Sequence, residues 1–190
     1  EACVTRHGWG EPGTAPRSDG ARVGDEIWVS GTLGDAAGAL AQWQSAGDGD
    51  ALLRARLDRP TPRVALGRAL RGIANACIDV SDGLLADLGH VCAGSGVGAG
   101  VEIAALPSSD ALRTTFEAER CRLLQAGGGD DYELCFTAPA SAHEAVRKAA
   151  SAAATAVSCI GRIEEGAGVT ARLADGGAWL AAPSGWRHFA

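Results

Sequence analysis

The sequence predicts an α+β domain, a mixed sheet with helices packed on it. Segments of strand period and of helix period interleave without a strict βαβ repeat, and the last two strand-like segments lie close together, as a hairpin would. A chain of 190 residues with 46% hydrophobic residues, mainly Ala, Val and Leu, is long enough to bury one sizeable core.

Gly8 to Gly24 is rich in Gly and Pro with interspersed Arg, so residues 1–24 read as a lead-in or inter-domain connection and 25–190 as the ordered domain. In DEIWVSG, Ile27 and Val29 alternate with Trp28 and Ser30 at strand period, and GTLGDAAGALAQW reads as a turn into an Ala-rich helix. SAGDGD is a polar loop. The prolines of RPTPR fix an extended segment before a helix starting near Arg63, whose Leu66, Leu70, Ile73 and Cys77 fall on one stripe. A strand around Cys77–Val80 follows.

After Gly83, the residues Leu84, Leu85, Leu88, Val91 and Cys92 mark one helical face, with Ser81 or Asp82 placed as its N-cap. VGAGVEI predicts a strand, LPSSDALRTTF a loop with a short helix, and EAERCRLLQA a helix that stops at glycines 127–129. YELCFT has strand composition, and SAHEAVRKAASAAA is a helix by propensity. AVSCIGRI and GVTARL are strands, and DGG marks a turn before the tail that carries Trp179 and Trp186.

The formal charge of −6 argues against a nucleic-acid surface, which needs clustered Lys and Arg, and lysine is nearly absent. A phosphorylated ligand on so acidic a chain calls for a divalent cation between the two negative partners. Six spread cysteines without a C-x-x-C read as small reduced core residues. No stretch has the apolar length of a membrane helix, and the N-terminal EACVTRHGWGEPG has no hydrophobic signal core, so the expected location is the cytoplasm. The chain has no methionine and starts at Glu1, as a processed chain or a piece of a longer one would.

Two constellations carry possible chemistry. In IDVSDG, Asp79 and Asp82 flank Ser81, and two carboxylates about 6 Å apart repel by roughly 3 kcal/mol at an effective dielectric near 20. If the loop is exposed, Asp82 is a cap and Asp79 a solvated turn residue. If it is partly enclosed, a shared cation such as Mg²⁺ is the natural remedy, and the following helix points N–H groups at an anion beside it. In GGGDDYEL, three glycines let the backbone approach a ligand, and Asp130, Asp131 and Glu133 are acids for a cationic or metal-bridged group; the alternative is a helix end followed by a charged turn. Arg17, Arg22, Arg59 and Arg63 are candidate phosphate contacts, more often surface residues. The four histidines lack metal-ligand spacing and are assigned no role.

GTLGDAAGAL, RPTPR, IDVSDGLLADLGH, GGGDDYELCFT and the closing GWRHFA, in this order and spacing, resemble the C-terminal part of the bacterial thiamine-monophosphate kinases. That family is grouped with aminoimidazole ribonucleotide synthetase and selenophosphate synthetase, whose members join an N-terminal α/β domain to a C-terminal three-layer α/β/α domain. The resemblance implies that this chain is the second domain, and that the N-terminal ATP-binding domain, with most of the contact of the family homodimer, is absent from it.

It also implies Mg²⁺ on Asp79 and Asp82, ATP at Ser81 and Arg17, and the substrate at Asp130 and Trp186. Asp130 stands where the family pattern carries Glu. The reaction implied is phosphoryl transfer from ATP to thiamine phosphate, and its acceptor is an already ionised phosphate oxygen, so no catalytic base is expected. Catalysis then rests on alignment and charge screening. An acid and an aromatic also suit the cationic thiazolium and flat rings of thiamine. Two other readings stay open: a synthetase relative with another ATP-dependent substrate, and a non-catalytic binding or assembly module of the same fold.

Overall fold

The computed structural model describes residues 17–47 and 49–179. Its middle layer is a six-stranded mixed sheet in the order β2-β4-β1-β5-β3-β6. The strands are β1 (Glu26–Ser30), β2 (Ala76–Asp79), β3 (Gly98–Glu102), β4 (Leu134–Ala138), β5 (Val157–Glu164) and β6 (Gly168–Arg172). All neighbours run antiparallel except β3 and β6, which are parallel. The helices are α1 (Asp35–Ala46), α2 (Ala51–Asp58), α3 (Val64–Ala69), α4 (Leu84–Ser95), α5 (Asp110–Thr115), α6 (Ala118–Gly127) and α7 (His143–Ala152).

The alternation read in β1 is what makes three layers. Ile27 and Val29 join the larger core with Leu84, Leu88, Val91 and Cys92 of α4. Trp28 faces the other way, onto Phe136, Leu66 of α3 and Val146 of α7. Both faces of this strand are therefore buried, as they must be when helices cover the sheet on two sides. A third cluster, including Ala39, Leu53, Leu112 and Leu124, ties α1, α2, α5 and α6 together. The outer strands are partly shielded: Arg17 forms a parallel bridge to Ala76 of β2, and Ala178 an antiparallel bridge to Arg172 of β6.

Four expectations need correction. The last two strands are not a hairpin, because β3 lies between them, antiparallel to β5 and parallel to β6. The stripe from Leu66 to Cys77 is not one helix: α3 ends at Ala69, and Ile73 and Ala74 both donate to the Leu70 carbonyl in a turn. Its four residues still share one apolar cluster, reached from helix, turn and strand. Helix α2 is additional to the predicted elements; Asp50 starts it by accepting from the amides of Leu52 and Leu53, and Leu53 anchors it. Among the cysteines, Cys92, Cys121 and Cys135 are buried, Cys77 is half-buried and Cys159 is exposed, all with free thiols; Cys3 lies outside the described residues. Among the described residues no helix is long and apolar enough to cross a membrane.

Candidate functional site

The two acidic motifs meet at one corner of the sheet. Asp79, the last residue of β2, pairs in register with Leu134, the first of β4. Beyond the ladder the loops stay laced together. Val80 N–H donates to the Glu133 carbonyl (2.8 Å), Tyr132 N–H to that of Val80 (2.9 Å) and Asp130 N–H to that of Ser81 (2.9 Å). So close an approach demands glycine. A Cβ on Gly83 would stand 2.7 Å from the Gly127 oxygen, and one on Gly129 would stand 2.4 Å from the Ser81 oxygen.

The result is a cluster of acids around one ring. Asp79 is exposed, and Ser81, Asp82 and Asp130 are half-buried. The Tyr132 hydroxyl lies 3.5 Å from Asp130 Oδ1. Its ionisation is pushed up by burial first, then by the charges of Asp130, Asp79 and Asp82. Asp130 (φ 67°) and Tyr132 (φ 49°) both adopt the left-handed conformation, which side chains rarely take and which gathers at functional sites. Beside Tyr132 opens a cleft of about 570 Å³, walled by Pro60, Pro62, Arg63, Val64, Ile78 and Asp79. An apolar wall with a few polar groups at its rim is the usual form of a small-molecule site.

Side chains along 130–133 alternate between this corner and the interior. Asp131 and Glu133, offered by the sequence as ligand-binding acids, turn inward to structural partners instead. Asp131 is 2% exposed. It caps α1 from across the fold, accepting the Gly34 amide at 2.7 Å and the Ala36 amide at 3.4 Å. Burial pushes its carboxyl up to about 7, against the pull of those two amides. Glu133, 0% exposed, accepts from Arg56 Nη2 (2.7 Å), from Arg63 Nε and Nη2 (2.7 and 2.6 Å) and from Ser30 Oγ (2.5 Å). The cation received by Glu133 is thus the protein's own, and Arg63, which also lines the cleft, is held in place by this pair.

Helix α4 is capped differently from the expectation. Neither Ser81 nor Asp82 caps it; the cap residue is Gly83, without a side-chain bond. Instead Asp87, 3% exposed, folds back from the first turn, and its Oδ2 accepts the amides of Ser81 (2.9 Å), Asp82 (3.0 Å) and Gly83 (3.1 Å). Three N–H groups of the loop before the helix are therefore already satisfied; the first amides of α4 itself, those of Leu84, Leu85 and Ala86, are not among them. Asp87 itself escaped the sequence reading, although an acid in the first turn after a glycine was a usable signal.

The corner thus brings together Asp79, Ser81, Asp82 and Asp130. Arg17 stands apart: it joins the edge of β2 beside Ala76, and its exposed guanidinium forms two bonds to Asp19 (2.7 and 2.6 Å). Trp186 lies outside the described residues. For Mg²⁺ the donor chemistry fits, since carboxylate oxygens are hard ligands and three of them raise the negative potential felt by Tyr132. Among the described residues, however, no group of three or more acids, cysteines or histidines is placed to hold a metal ion by itself. An Mg²⁺ ion held here would need ligand oxygens and water to complete its shell.

Comparison with known proteins agrees with this architecture. Thiamine-monophosphate kinase of Escherichia coli (strain K12) is 40% identical over 190 residues, covering 97% of this chain and 58% of its own. The crystal structure of thiamine-monophosphate kinase from Stenotrophomonas maltophilia K279a superposes with a TM-score of 0.81 at 50% identity, over 88% of this chain and 55% of that one. AaThiL complexed with AMPPCP and TMP gives a TM-score of 0.71 at 35% identity, over 90% and 53%. The chain therefore spans a little over half the length of these relatives. Residues 22–174 match the family described as AIR synthase related protein, C-terminal domain, and the chain belongs to that family.

Proposed function

We propose that this chain is the C-terminal half of a thiamine-monophosphate kinase, which transfers the terminal phosphoryl group of ATP to the phosphate of thiamine phosphate. The products are thiamine diphosphate and ADP. The observation that carries the reading is the lacing of the two acidic loops, which brings Ser81, Asp82 and Asp130 to one corner with Asp79, and Asp79 lines the cleft. The solved relative in complex with AMPPCP, an analogue of ATP, and TMP supports both substrates.

In this reading Asp79 and Asp82 hold Mg²⁺, which supplies charge screening between two polyanions. The Ser81 hydroxyl, now 3.3 Å from Asp82 Oδ1, turns to donate to a nucleotide phosphate oxygen. Arg17 exchanges its Asp19 partner for nucleotide. Asp130 and Trp186 take the thiamine end, a carboxylate for the cationic ring and an indole for stacking. No side chain removes a proton, because the acceptor oxygen is ionised at neutral pH. An N-terminal domain supplies the rest of the ATP and Mg²⁺ site, the enzyme is a homodimer through that domain, and it works in the cytoplasm.

The test mixes the purified chain with Mg²⁺, ATP and thiamine phosphate, with and without a separately produced N-terminal half. Thiamine diphosphate formed only in the mixture is the expected result. No product under either condition overturns the reading in favour of a binding module.

A further inference from the structure

We infer that Asp87 is a positioning residue for the acidic corner: its carboxylate gathers the amides of Ser81, Asp82 and Gly83 and so turns the side chains of Ser81 and Asp82 outward. This rests on the kinase reading above. Three consecutive amides that converge on one point form a concave anion-binding pocket, the kind of backbone cradle that commonly takes a phosphate. Here the protein fills that cradle with its own side chain, at 2.9, 3.0 and 3.1 Å from a single oxygen. Asp87 is almost fully buried, on the first turn of a helix whose neighbouring residues Leu84 and Leu88 are anchored in the larger core.

Two consequences follow from the geometry. Nucleotide phosphate does not bind these amides, so its contacts to this loop run through side chains and metal. The loop between β2 and α4 also keeps one shape, because the opposite ends of the cradle are fixed independently: Val80 by its bonds to the β4 entry, and Asp87 by α4. A metal site assembled from Asp79 and Asp82 is productive only when held within a fraction of an ångström, which is the task of supporting groups around it.

The test uses the full-length kinase and reads Mn²⁺ binding in the presence of AMPPCP by electron paramagnetic resonance, together with amide hydrogen exchange at Ser81–Gly83. Asp87→Asn keeps the shape and loses the charge. It is expected to weaken Mn²⁺ binding roughly tenfold or more and to speed exchange at the three amides. Asp50→Ala, which removes the cap of α2, serves as a control for general destabilisation and is expected to leave Mn²⁺ affinity unchanged. Faster exchange in Asp87→Asn with wild-type Mn²⁺ affinity overturns the positioning role while the kinase reading stands. Wild-type protein that binds no Mn²⁺ with AMPPCP overturns both. Should Asp87→Asn fail to fold, the wild type alone decides. Phosphorus couplings from AMPPCP across hydrogen bonds to the Ser81–Gly83 amides overturn the inference, and their absence with the amides still protected is the expected result.

Discussion

Neighbouring carboxylates at 130 and 131 end in opposite surroundings, one half-buried at the acidic corner and the other sealed under α1. The sequence marked both as candidates because residue type and a glycine-rich approach are local signals. Which acid faces solvent depends on the backbone of 129–133, and that conformation includes two left-handed residues that no pattern announced. Asp79 and Asp82 could be singled out together from the sequence, since their spacing across a strand-to-helix junction is itself local; their joint hold on a metal is a proposal. For Asp82 the proposed metal role gives a direct expectation. Contacts to charged groups are worth about 1.5–3 kcal/mol. Asp82→Asn should therefore weaken Mg²⁺-dependent nucleotide binding by roughly ten- to a hundredfold and leave the circular dichroism spectrum unchanged. Titration calorimetry in Mg²⁺ and in EDTA measures it; equal metal dependence in mutant and wild type removes Asp82 from the ligand set.

At the scale of elements, α1 shows how the site and the scaffold share one loop. Its own cap residue, Gly34, offers no side chain, so Asp131 supplies the acceptor from the strand-entry loop nearly a hundred residues later. Long-range capping of this kind has no sequence signature, which is why Asp131 was grouped with the ligand-binding acids. Its raised pKa, about 7 against an ordinary 3.8, sets a pH dependence. A carboxyl that holds its proton more tightly when folded adds stability that is fully present below about 3.8. That contribution is lost as pH rises toward about 7, and the curve is flat above it. Asp131→Asn removes the titrating group while keeping an acceptor for Gly34. Between pH 4.5 and 7.5 the melting temperature of the wild type should fall relative to that of Asp131→Asn, as followed by calorimetry. Parallel curves would show that Asp131 does not couple folding to pH.

Across the whole molecule, interleaved helix and strand periods carried the fold class, because burial on both faces of a sheet writes itself into each segment. The order of strands did not follow from them: inserting β3 between β5 and β6 is a pairing of residues 60 to 70 positions apart, invisible to local periodicity. What unifies the layers is β1, near the centre of the sheet, whose alternate residues anchor helices on opposite faces. Trp28 is its largest anchor, stacked on Phe136 with ring centroids 6.4 Å apart and touched at its edge by His143 at 4.8 Å. Truncating a buried aromatic costs about 3–5 kcal/mol, a large share of the roughly 5–15 kcal/mol that stabilises a domain. Trp28→Ala should therefore lower the urea midpoint substantially yet keep one transition, because both helical layers depend on the same strand. Far- and near-ultraviolet circular dichroism should report coincident midpoints. Two separated transitions in the variant, with the α4 layer outlasting the α3 and α7 layer, would instead mean that the two faces fold independently and that β1 does not couple them.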